Sequence, residues 1–210
     1  MKPQVGDSDF PIWLLGDSNP KGWQSVLETP LDPRHPARHN IWTPVLEVIQ
    51  DNVFREQRCR VDGSRLYIRN AIGDPSIKPE SKSVEWSGAV TEQIAALKEL
   101  LAQHSPPILL CFGAFAFEFA RRTLEENPER PHIHWGARNL GGEFRRRMQD
   151  FDVRKTNAFP LLHASIARGK FIQSHDYFCG SAGANYFVHV GDYLAGTLLQ
   201  HRNSLRVWIE

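Results

Sequence analysis

Five side chains able to exchange protons or read a hydrogen-bonding edge stand at or just past short apolar runs. Asp17 and Asn19 follow Pro11 to Leu15, Asn70 closes the run from Arg65, and His163 and Ser165 follow Ala158 to Leu162. Together they offer a carboxylate, two amides, an imidazole and a hydroxyl. A carboxylate orients water, a carboxamide presents donor and acceptor at once, and an imidazole donates to or takes a proton from a reacting atom. No cysteine joins them, and no obvious metal set does. His132 and His134, one residue apart, lack a third ligand and read as surface imidazoles.

Such side chains act together only if the elements beneath them converge. Four apolar runs, the three above plus Ile108 to Phe112, have the length of buried strands. Helical periodicity fills the gaps. Pro44 suits a first helical turn with Val45, Val48, Ile49 and Val53 as its stripe; Val90, Ile94, Leu97 and Leu101 form a second stripe ending before Pro106-Pro107. A third helix starts after Gly113, and a fourth spans about Asn185 to His201. Alternating strands and helices with right-handed crossovers predict an α/β protein, a three-layer α/β/α sandwich around a mainly parallel four-stranded sheet. Residues 1–210 read as a single domain. In such sheets functional groups gather at the carboxyl ends of the strands. The segment from Pro131 to Gly142 is expected to be irregular, and Gly180-Ser-Ala-Gly183 suits either an anion nest or a tight turn before the last helix.

Composition excludes several classes. Twenty-five Lys and Arg against 24 Asp and Glu give a net charge of +1, neither an acidic tail nor a polycation. The charge is uneven, however: residues 130–170 carry nine basic and three acidic groups, a local +6. Arg145, Arg146, Arg147, Arg168 and Lys170 lie there as candidate phosphate contacts. Three cysteines at wide spacing, Cys59, Cys111 and Cys179, support neither a disulfide framework nor an iron–sulfur site, and point to a reducing, cytoplasmic setting. No apolar run reaches the length of a membrane span, and the first residues carry no secretory signal.

In order and spacing, Gly16-Asp-Ser-Asn19-Pro20, His35 to Trp42, Leu66 to Asn70, Ile108 to Ala116 and His163-Ala164-Ser165 resemble the uracil-DNA glycosylase superfamily in its cluster-free branches. The likeness covers most of the chain. It implies a monomeric DNA N-glycosylase that extrudes a deaminated base, of the uracil or hypoxanthine type, and hydrolyses its glycosidic bond without cofactor or metal. Such cleavage places positive charge on the sugar and negative charge on the departing base. By the same likeness Asp17 or Asn19 directs water, His163 stabilises the base anion, and Asn70 reads the base with Trp42 and Phe54 as walls. Ser165, Ile166, Arg168 and Lys170 then meet the DNA. Ser18 stands where the family places its water-directing residue, and Ala164 and Ala167 replace the usual proline and bulky wedge.

Two other classes remain open. Leu14 to Ser18 also resembles the opening block of Gly-Asp-Ser esterases, although the only Asp-x-x-His spacing, Asp32 to His35, comes in the wrong order. The altered motif positions also suit a protein of the same fold that binds nucleic acid or a nucleotide without cleaving it.

Overall fold

The computed structural model describes residues 4–19, 29, 30, 32, 34, 43–167 and 172–209. Trp42, Arg168 and Lys170 lie outside them. The strands are β1 (Gln4–Val5), β2 (Ile12–Ser18), β3 (Arg60–Val61), β4 (Tyr67–Ile72), β5 (Ile108–Phe112), β6 (Asn157–Leu161) and β7 (Trp208–Ile209). The helices are α1 (Thr43–Gln57), α2 (Gly88–His104), α3 (Ala114–Thr123), α4 (Ala137–Gln149), α5 (Ala164–Ala167), α6 (Ile172–Cys179) and α7 (Tyr186–Gln200).

The sheet order is β1-β4-β2-β5-β6, and its four long strands are parallel. The expected four-stranded sheet gains a fifth, two-residue strand, β1, which pairs antiparallel with β4 and closes that edge. β3 and β7 form a separate small ribbon. Because each parallel strand is covered on both faces, all five residues of β5 and of β6 are buried. α1 packs on α7, and α2 packs on α3. These pairs cover opposite faces, giving the three-layer α/β/α sandwich. No helix among the described residues is long and apolar enough to cross a membrane.

The chain leaves β2 toward β4 on one side, whereas it leaves β5 toward β6 on the other. The carboxyl ends of β2 and β5 are therefore the switch point, the place where open α/β sheets form their crevice.

α4 occupies much of the segment expected to be irregular, with Leu140, Phe144 and Met148 facing inward. Its Gly141 is a packing glycine: a Cβ there would lie 1.8 Å from the Phe178 carbonyl oxygen of α6. His132 is also a correction. It is buried in a 3-10 turn, packed edge-on against Phe115. Gly180 and Gly183 have positive φ and form a turn whose Gly183 N–H donates to the Asp176 carboxylate, so that loop serves chain reversal.

Candidate functional site

β2 continues three residues past Leu15, so Gly16, Asp17 and Ser18 belong to the strand and alternate between its faces. Gly16 pairs with Asn70 on β4. A Cβ on Gly16 would lie 2.2 Å from Asn70 Oδ1, so only glycine leaves room for that amide. Asn70 Nδ2 then donates to Asn19 Oδ1 at 2.7 Å, and the two predicted amides meet. Asn70 Oδ1 thus lies against the Gly16 backbone, and its second Nδ2 hydrogen is the donor left over.

Asp17 points to the opposite face, toward α3. Its Oδ2 accepts from Lys78 Nζ at 2.5 Å, while its Oδ1 is buried without a hydrogen-bond partner. Lys78 follows a 3-10 turn, Pro75–Ile77, capped by the Asp74 side chain, which accepts from the Ser76 N–H. The sequence offered no motif for Lys78; its position a few residues past a strand end was the sole signal.

His163 lies beyond β6, next to Gly113, whose φ of +102° and lack of a Cβ admit the imidazole: an added Cβ would come within 3.0 Å of His163 Cβ. The Ser165 backbone N–H donates to His163 Nδ1 at 3.3 Å, and the Ser165 hydroxyl lies 2.9 Å from the same nitrogen. A backbone N–H can only donate, so Nδ1 is an acceptor and the proton of the neutral ring sits on Nε2. Burial pushes the His163 imidazole below its ordinary value; Lys78 adds to this and Asp17 opposes it. The ring is thus neutral at neutral pH and offers an Nε2–H donor.

Other predicted residues lie elsewhere or are already engaged. Phe54 sits near the end of α1, eleven residues past Thr43, or roughly 16 Å down the helix from the crevice end. Its exposed ring is covered by Arg58 and Arg60, so it is no wall for a base at Asn70. The arginine triplet of α4 is likewise spoken for. Arg145 Nη1 donates to the Phe178 carbonyl oxygen, Arg146 pairs with Glu143 and Asp150, and Arg147 is buried among Glu126, Glu143 and the Ala158 carbonyl. Ala158 is the second residue of β6, five residues before His163, or roughly 16 Å from the site along a strand. Arg147 is therefore neutralised at the far end of β6 from His163, while Arg146 remains exposed. Ser165 is tied to His163, and Ile166 is half-buried against the core.

A cleft of about 590 Å³ opens at the amino-terminal edge of the sheet, lined by Lys98, Glu126, Arg146, Arg147, Asp150 and Asn157 among others. Lys98, Arg146 and Arg147 already hold carboxylates, whereas past the strand ends Asp17, Lys78 and His163 act on one another on one face of the sheet and Asn70 meets Asn19 on the other. The chemistry belongs to the crevice. There, among the described residues, no histidine hydrogen-bonds Ser18, and no group of three or more His, Cys, Asp or Glu is placed to hold a metal. No protein-family model matches the chain, and no curated protein matches it.

Proposed function

We propose that the protein is a DNA N-glycosylase that removes a deaminated base of the uracil or hypoxanthine type. The observation that carries this reading is the fixed tautomer of His163, whose Nδ1 is occupied by Ser165 and whose Nε2–H is left to donate. A neutral donor of this kind stabilises an oxygen that gains charge as a base departs. The Asn70 amide, held by Asn19, reads the base edge through its remaining Nδ2 hydrogen. Because Asn19 Oδ1 is engaged there, water falls to Asp17, whose Oδ1 still lacks a donor. Binding at Asn70 requires the base to leave the duplex stack.

Oligonucleotides, single- and double-stranded, containing uracil, hypoxanthine or xanthine provide the test, read by strand scission in alkali after incubation. Release of one base by the wild-type protein, lost in His163→Ala, supports the reading. Tight binding without release points to the non-catalytic alternative. Hydrolysis of an aryl ester that is abolished by Ser18→Ala would replace both.

A further inference from the structure

No motif in the sequence singles out Lys78, yet its ammonium stands at the centre of the crevice's charged groups. Nζ lies 2.5 Å from Asp17 Oδ2 and 5.1 Å from the centroid of the Phe115 ring. Phe115 is buried and braced by Trp86 and His132, so the ring is a fixed platform beneath the cation. The loop carrying Lys78 is itself held: its backbone N–H donates to the Pro75 carbonyl, and Asp74 caps the preceding turn.

We infer that Lys78 is a positioning residue of this site, holding one carboxylate oxygen of Asp17 so that the other takes the water, and imposing its charge on the two imidazoles around it. This deepens, and in its catalytic part rests on, the glycosylase reading. The geometry divides the Asp17 carboxylate unequally, with Oδ2 clamped by the ammonium and Oδ1 buried without a donor. A buried acceptor left unmade is costly, so Oδ1 is the oxygen that gains a water hydrogen once the site opens to admit one. His132 Nδ1 is also buried and unpartnered.

The charged and titratable groups acting on the imidazoles come from several elements. His163 feels Asp17 and Lys78 after its own burial; His132 feels Lys78, Asp17, Glu118 and Arg122 after its own. Lys78 lowers both imidazoles and Asp17 raises both. Replacing Lys78 by methionine keeps most of the stem and removes the charge, so both imidazoles should become more basic. A lysine that merely filled space would leave them unmoved.

Histidine C2–H signals followed by NMR across pH in wild type, Lys78→Met and Lys78→Arg, with the His163 signal assigned by its loss in His163→Gln, decide the matter. Expected are upward shifts of the His163 and His132 midpoints in Lys78→Met and their return toward wild type in Lys78→Arg. The single-turnover rate of base release should fall about tenfold or more in Lys78→Met, as for loss of one oriented group, and recover in part in Lys78→Arg. Unmoved midpoints in a Lys78→Met protein that melts like wild type would overturn the inference. If the wild type releases no base, the glycosylase reading fails, while the titration still decides the role of Lys78.

Discussion

Gly16 and Asn70 are register partners on adjacent parallel strands, and the missing side chain of the first is the space taken by the amide of the second. The pair ties a backbone requirement to a recognition group: Asn70 can turn its amide toward Asn19 only because nothing projects from Gly16. Gly16→Ala should therefore displace Asn70 more than it unfolds the protein. Overpacking of this kind costs about 1–3 kcal/mol. Base release should drop at least as far as in Asn70→Ala, checked by single-turnover kinetics beside a thermal melt.

His163→Ala should lower the single-turnover rate by about 10²–10³, the usual loss for one oriented donor at a developing anion. Ser165→Ala removes the hydroxyl contact but keeps the backbone donor on Nδ1, so its effect should be smaller. Equal losses in the two variants would show that Ser165 acts on the substrate directly.

The pH dependence has a defined sign. Burial holds the His163 imidazole below its ordinary value of 6.5. Protonation at Nδ1 would break the contact from the Ser165 N–H, and it occurs only as pH falls through that lowered value. The acid limb of wild-type base release should thus have its midpoint below 6.5. An acid limb above 6.5 that persists in His163→Gln would assign it to another group.

Arg147 is predicted to matter for stability and not for DNA. Its side chain is 10 % exposed and holds Glu126 and Glu143, which keep Arg121 and Arg146 when it is removed, so Arg147→Ala loses one partner from each carboxylate together with the packing of a buried stem, a change that costs about 1–3 kcal/mol. Arg146 is 56 % exposed, and Arg146→Ala should change stability by about 1 kcal/mol or less. Denaturant titration separates the two, and DNA affinity measured at two salt concentrations should be unchanged in Arg146→Ala.

Glu143 gives stability its acid dependence. Hydrogen bonds from Arg146 and Arg147 hold its carboxyl at about 2 against an ordinary 4.5, overcoming a burial that acts the other way. A depressed carboxyl stabilises the fold fully above 4.5, and the contribution is lost as pH falls toward about 2. Glu143→Gln should therefore lower the melting temperature at pH 7, with the difference from wild type narrowing through that window.

The sheet and its main helices were legible because their signals are local. A run such as Ile108 to Phe112 can only be a buried strand when helices cover both its faces, and Val90, Leu97 and Leu101 recur at the spacing of one helix face. His163-x-Ser165 was legible too, since two residues suffice for a side chain to meet its own turn. What tertiary structure decided were partnerships between residues far apart in the chain. Asp17 and Lys78 are 61 positions apart, and they meet because strand order sets β4 beside β2. The arginines of α4 show the same limit: composition counts their charge, but only packing determines that Arg147 is neutralised within the fold. Local periodicity encodes which face of an element is buried. Which charges and polar atoms remain free depends on what the folded chain brings against that face, and hence the pairings of Asp17 with Lys78 and of Asn70 with Asn19 took form only in three dimensions.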